Sequence, residues 1–369
     1  MHKKNTFVIL LFLFCLVLFA GGCEAGIKTG ELRNVILFIG DGMGPEQVRA
    51  AGLYAHGEAG TLFMESLPYQ TEMTTDSAGG KLTDSAASAT AIATGEKVNN
   101  GVISMAIPGD ERELKTLLEY FQEAGKSTGL VTTVPMFHAT PAAFGAHDPK
   151  RGNKEEIIDD YLNQTRPEVL LGGGKNGITP KEALEAGYVV VQNAAEMLAL
   201  DTESVEMVSG QFAGEIPYEY DGVGELPHLT QMTETALAIL DNDADGFFLM
   251  VEGGKIDWAS HNHQTARMIG ETMEFDRAVK AAWEWARGRG DTLIVVTADH
   301  ETGGLTVERN NGQGVLPEVS WSTKGHTPTE VPVYAWGTGA ELFTEPMDNT
   351  HVFYKIISAA NLEVEAAIK

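Results

Sequence analysis

NVILFIGDGMG, residues 34–44, decides the fold. The unbroken apolar run from Val35 to Ile39 reads as a strand covered on both faces, and it runs straight into an acid set among glycines, Gly40-Asp41-Gly42. Runs of the same kind recur at 127–134, 168–173, 188–192, 246–252, 292–298 and 331–336. Between them lie helical patterns such as 110–125, where Leu114, Leu117, Leu118 and Phe121 keep the spacing of one helix face. Alternation of this kind predicts an α/β protein, a three-layer α/β/α sandwich around a central, largely parallel sheet. The stretches 201–228 and 305–324 read as loops or small insertions, so residues 24–369 are expected to form one domain, with a short insertion at 305–324.

Composition agrees with a folded chain: 369 residues, 43% hydrophobic and 21% charged. The formal net charge of −26 argues against nucleic-acid binding, and any anionic substrate needs cations at the site to reverse the local field. Residues 1–23 read as an address. Lys3 and Lys4 precede an apolar run from Phe7 to Phe19, shorter than the roughly 20 residues of a spanning helix, and Ala20-Gly21-Gly22-Cys23 resembles a lipoprotein cleavage box. The expectation is an exported protein, periplasmic or at the cell surface, anchored only through lipid on Cys23. Cleavage there leaves one cysteine, so no internal disulfide is expected.

Three strand runs end on acids: Asp41 after the first, Glu252 after 246–251, and Asp299-His300 after 292–298. Open α/β sheets bind ligands beyond the carboxyl ends of their strands, so these acids should converge. Helix capping explains one acid per strand end, but not an Asp-His pair behind an apolar strand. Asp257 and His261 are four apart and would share one helix face. Alone such a pair is usually a surface ion pair; here it follows Glu252 closely, and His326 in a glycine-flanked loop offers another imidazole. Carboxylates with neutral imidazoles suit zinc, whereas carboxylates with a hydroxyl suit magnesium.

KLTDSAASATAIATG, residues 81–95, fits either an Ala-rich helix capped by Asp84 or a nucleophile, Ser85, among small neighbours. Read with GDGMG at 40–44, TDSAASAT at 83–90, HATPA at 138–142, EGGKID at 252–257 followed by His261, TADHETGG at 297–304 and GHT at 325–327, it resembles the bacterial alkaline phosphatase family over almost the whole mature chain. The resemblance implies hydrolysis of small phosphate monoesters through a phosphoserine on Ser85. It implies one zinc on Asp257, His261 and His326, and a second on Asp41, Asp299, His300 and Ser85. A third metal, ordinarily Mg2+, would take Asp41, Thr140 and Glu252. Arg151 would hold the phosphate, and Asp84 would orient Arg151.

The enterobacterial type carries an acid where this chain has His138 and a lysine where it has Trp258. An imidazole at 138 could bind the third metal itself and shift preference toward Co2+ or Zn2+. The short span between His300 and His326 leaves monomer or homodimer open. Gly172 to Gly174 with Lys175 do not complete a phosphate-loop pattern. Two other classes stay in view, a diesterase or sulfatase of the same superfamily and a metal-dependent binding lipoprotein without turnover.

Overall fold

The computed structural model describes residues 30–212 and 214–364. The leader and Cys23 lie outside them. Fourteen strands follow in chain order: β1 Asn34–Ile39, β2 Tyr69–Thr74, β3 Ser127–Pro135, β4 Val169–Gly173, β5 Val189–Val191, β6 Val208–Phe212, β7 Phe247–Glu252, β8 Thr292–Thr297, β9 Glu301–Thr302, β10 Leu305–Arg309, β11 Glu318–Trp321, β12 His326–Thr327, β13 Val331–Gly337 and β14 Met347–Asp348. Ten of these make one sheet in the order β14-β2-β13-β8-β1-β7-β3-β4-β6-β5. Only β13 runs against its neighbours, pairing antiparallel with β8 and β2.

Every residue of β1, β7 and β8 is buried, because helices cover both faces of the central parallel strands. In the register, Ile39 of β1 stands beside Glu252 of β7 on one side and Thr297 of β8 on the other. The acids that follow these strands therefore emerge side by side at one edge. Among the described helices, none is long and apolar enough to cross a membrane.

The alanine-rich stretch forms the helix Ser85–Thr94. Asp84 caps it, its side chain accepting from the Ala87 N–H at 3.0 Å, and Gly95 ends it in the left-handed conformation at φ 76°. All ten helical residues are buried. Small side chains let the helix lie close to the helices Ala139–Gly145 and Thr350–Ala359. Ser88 Oγ donates to the Asp299 carbonyl at 2.6 Å and accepts from Asn349 Nδ2 at 2.9 Å, which fixes the serine helix against the end of β8.

Three expectations change. The helix predicted over 110–125 begins only at Leu117, because Thr116 and Glu119 form a reciprocal capping box; Leu114 is buried in an extended segment whose N–H reaches Ser104. The stretch 305–324 is not an irregular loop but the β10–β11 ribbon, held on the helix Pro45–His56 by Val307 N–H donating to Glu46 Oε2 at 2.7 Å. The stretch 201–228 contains β6, an interior strand between β4 and β5.

Candidate active site

The strand order β8-β1-β7-β3 brings Asp299, Asp41, Glu252 and His138 to the same edge of the sheet. Asp41 and His300 are fully buried, with His300 Nε2 3.5 Å from Asp41 Oδ1 and 3.3 Å from Asp299 Oδ2. Asp299 Oδ1 is turned away from this centre and accepts from the N–H groups of Gly42 and His300 at 3.1 and 2.9 Å. Beside it, Asp257 Oδ1 lies 3.2 Å from His261 Nε2 and 3.8 Å from His326 Nε2. The rings of His300 and His326 stack with centroids 3.5 Å apart, so the two groups adjoin. Each group brings three ligand atoms within 4.8 Å of one another.

The imidazoles are oriented from behind. His326 Nδ1 reaches the Thr83 carbonyl at 2.8 Å, His261 Nδ1 reaches the Lys324 carbonyl, and His300 Nδ1 lies 3.3 Å from Thr302 Oγ1. All three Nε2 atoms are thereby left facing the carboxylates. Thr302 also donates to Asp257 Oδ1 at 2.5 Å, and Thr132 donates to Glu252 Oε2. Sequence reasoning missed these supports. Thr302 sits within the TADHETGG stretch and carried a usable signal; the backbone carbonyls of Thr83 and Lys324 carried none.

Electrostatics mark the site as incomplete with protein atoms alone. Burial together with the neighbouring charges of Asp299, Asp257 and Glu252 pushes the Asp41 carboxyl well above its ordinary range. Burial likewise raises Glu252 to about 7, and burial with Asp257 raises Asp299 to about 6. Burial lowers His300 and His138 to about 4, which leaves both imidazoles neutral. Asp257 is different: burial opposes its ionisation, but His261 and His300 hold it at about 2, and its hydrogen bond lifts His261 to about 9.

Both oxygens of Asp41, Oδ2 of Asp299, Oε1 of Glu252, Oγ1 of Thr140 and Nδ1 of His138 are buried with no hydrogen-bond partner. Oxygen-rich, neutral-imidazole donor sets of this kind fit divalent cations. His138 also packs edge-on against Trp258, with ring centroids 5.5 Å apart.

Ser85 opens its helix and is only 4% exposed, its Oγ 3.2 Å from His300 Nε2. The helix N-terminus behind it favours negative charge. Arg151 stands alongside, Nη1 donating to Asp84 Oδ2 at 3.1 Å, with its backbone N–H on the Gly101 carbonyl at 2.7 Å. Gly101 N–H in turn donates to the Asp84 carboxylate. The serine, the arginine and the two carboxylate–imidazole groups thus share one crevice.

A third group that meets the same 4.8 Å spacing, Glu219, His228 and Glu274, lies apart from the sequence-predicted residues. His228 precedes the helix Leu229–Leu240 and pairs with Glu219 at 2.8 Å. Glu274 is already paired with Arg277 at 2.7 Å and accepts from the Thr230 N–H.

Fold and site together define a metal-dependent hydrolase built on a parallel α/β sheet. The alkaline phosphatase family model matches residues 32–318. Alkaline phosphatase 3 of Bacillus subtilis (strain 168) is 33% identical, over 91% of this chain and 90% of that protein. The cold-active alkaline phosphatase of Shewanella sp. superposes with a TM-score of 0.81 at 30% identity, covering 89% of this chain and 99% of that one. A histidine-to-glutamate variant of the TAB5 alkaline phosphatase, with magnesium bound in its M3 site, covers 91% of this chain and 100% of its own, at a TM-score of 0.79 and 29% identity. The chain belongs to the alkaline phosphatase family, whose members use metal ions, and it is a phosphomonoesterase.

Proposed function

We propose that the chain hydrolyses phosphate monoesters in two displacements through a phosphoserine on Ser85. The observation that carries this reading is the position of Ser85 Oγ at a helix start, 3.2 Å from His300 Nε2, with Arg151 bonded to the preceding residue, Asp84. Asp257, His261 and His326 would hold one zinc; Asp41, Asp299 and His300, with Ser85, would hold the second. Zinc bound there would lower the pKa of the serine hydroxyl and offset charge on the departing oxygen.

Ser85 Oγ attacks phosphorus as the ester oxygen leaves with the alcohol, so one P–O bond forms while another breaks. Arg151 donates to the non-bridging oxygens, and Asp84 holds the guanidinium in place for that contact. Water then attacks the phosphoserine from the face the alcohol vacated, the Ser85–phosphorus bond breaks, and inorganic phosphate departs. The N–H groups at the start of the helix stabilise the serine oxygen in both steps.

The third cation would sit on Asp41, Thr140 and Glu252, with His138 as an added ligand. The TAB5 variant bearing glutamate in place of a histidine holds magnesium in its M3 site. By analogy, the imidazole of His138 steers this position away from magnesium and toward zinc or cobalt. Export and lipid attachment at Cys23 belong to the same reading, since the leader ends in the A-G-G-C box. In a cell fractionation, Cys23→Ala should move the protein off the membrane or leave it uncleaved.

Release of phosphate from an aryl phosphate, measured against a matching aryl phosphodiester and aryl sulfate with zinc and magnesium supplied, tests the reaction class. The monoester should be preferred by several orders of magnitude. A diester or sulfate turned over faster would overturn the reading.

A further inference from the structure

A second cavity, of about 580 Å³, opens at the carboxyl ends of β4, β5 and β6, on the same sheet edge as the active site. Its polar lining comes from Asn176, Thr179, Gln192 and Gln211, with Gly174 and Gly177 forming part of the wall. Among the described residues that line it, none carries an ionised side chain. Gln211 is 8% exposed; its Nε2 donates to Ser209 Oγ at 3.2 Å, while its Oε1 is buried with no partner. Gly177 keeps the space beside that oxygen open, because a Cβ there would stand 3.7 Å from Gln211 Oε1 and 3.6 Å from Phe137. A buried amide oxygen without a donor carries a desolvation penalty that a ligand O–H placed in this cavity would remove.

The cavity is tied to the catalytic crevice through Phe137. That residue precedes His138, touches the Gly177 side of the cavity, and lies under Lys154 Nζ, 4.4 Å from its ring centroid. In the strand order, β4 and β6 are three and four places from β1, a separation of about 14–19 Å at ordinary strand spacing.

We propose that this cavity is a subsite for the alcohol portion of a larger phosphate monoester, one that is uncharged and rich in hydroxyl groups, such as a sugar or polyol. Amides, a hydroxyl and bare glycine backbone recognise O–H groups without needing charge, and the Gln211 oxygen supplies a buried acceptor for one of them. The inference rests on the phosphoryl group sitting at Ser85, and it extends that reading to the part of the substrate that leaves.

The experiment compares kcat/KM for trehalose 6-phosphate with that for p-nitrophenyl phosphate in the wild type, Gly177→Ala and Gln211→Leu. Gly177 has ordinary φ and room for a methyl group, so its alanine variant takes up the space beside Gln211 Oε1 without backbone strain. The selectivity ratio should fall about tenfold in both variants. An unchanged ratio in Gly177→Ala overturns the proposal, whether or not Gln211→Leu folds. Saturation-transfer NMR with free trehalose reads the subsite independently of the nucleophile: the signal should persist in Ser85→Ala and weaken in Gly177→Ala. Absence of any signal from wild type and Ser85→Ala alike, as for a cavity that holds only water, also overturns it. A normal ratio change together with a failed Ser85 assignment would sink the phosphoserine reading and leave the subsite standing.

Discussion

Asp84 Oδ2 accepts from Arg151 Nη1 at 3.1 Å, while Oδ1 of the same carboxylate accepts from the Ala87 N–H at 3.0 Å and caps the helix that Ser85 opens. One side chain thereby ties the helix that Ser85 opens to the guanidinium of Arg151. The pair is partly exposed, so its contribution is placement rather than stability.

Two substitutions separate those roles. Asp84→Asn keeps a cap acceptor but turns a donor or a neutral oxygen toward Arg151; KM for a phosphate monoester should rise roughly tenfold with little change in Tm. Asp84→Ala removes the cap as well and should cost about 1 kcal/mol of stability. Steady-state kinetics beside thermal melts check both. Equal KM values in wild type and Asp84→Asn would show that the carboxylate does not position Arg151.

Glu301 is a buried carboxylate that accepts from Gln47 Nε2 and Leu305 N–H on Oε1, and from Gly304 N–H and Thr327 Oγ1 on Oε2. It follows His300 directly and bonds Thr327, the residue after His326. Glu301→Gln keeps the shape but sets an N–H2 against donors, so stability should drop by about 2 kcal/mol. Zinc affinity, read by chelator competition, should weaken about tenfold, because both neighbouring imidazoles lose their common anchor. An unchanged competition curve would show that the ribbon β9–β12 holds the ligands without Glu301.

His147 gives a pH signature away from the metal centre. Burial alone would lower its pKa, but the Glu119 carboxylate 3.2 Å away overrides burial and raises it; burial would raise Glu119, and His147 brings it down. A histidine raised on folding stabilises below its unfolded pKa of about 6.5 and loses that contribution as pH climbs through the folded value. The carboxylate's contribution is present above its ordinary pKa and is lost in the other direction, as pH falls through the lowered folded value. Wild-type Tm should therefore decline between pH 6 and pH 8 relative to His147→Gln. Parallel Tm profiles for the two proteins over that interval would contradict the pairing.

His138→Asp tests the third cation. The aspartate variant, dialysed against magnesium and analysed for bound metal, should retain about one magnesium more per chain than wild type, and magnesium should activate it. In wild type, cobalt should activate more than magnesium. Strong magnesium activation in wild type, unaltered by the substitution, would show that the imidazole does not set the metal.

Most of this architecture was legible because the central strands are covered on both faces. The runs of β1, β7 and β8 are apolar almost throughout, and with the β-branched residues of β3, β4, β5 and β13 they made seven sheet strands visible. β2 was missed because Tyr69–Thr74, near one end of the sheet, is polar and buries only Met73, and β6 because Val208–Phe212 spends two of its positions on Gly210 and Gln211. The same Gln211 later lines the second cavity. Helix 110–125 was drawn too long, since apolar spacing does not reveal that Thr116 and Glu119 cap each other. At the site, acids and imidazoles were readable from type and spacing, and the folded chain brings Asp257, His261 and His326 together, and Asp41, Asp299 and His300. What spacing could not carry was the orientation of two of the rings by carbonyls far away in sequence, Thr83 on His326 and Lys324 on His261.

The central claim is that Ser85 carries the phosphoryl group, and trapping the phosphoenzyme tests it most directly. Acid quenching during turnover of a 32P-labelled monoester, followed by peptide mapping, should place label on the peptide containing Ser85, approaching one per active site when the second step is slowed at low pH. Ser85→Ala should bind zinc and inorganic phosphate, hold no label and lose about a thousandfold or more in kcat. A normal phosphoenzyme burst in Ser85→Ala would contradict the account.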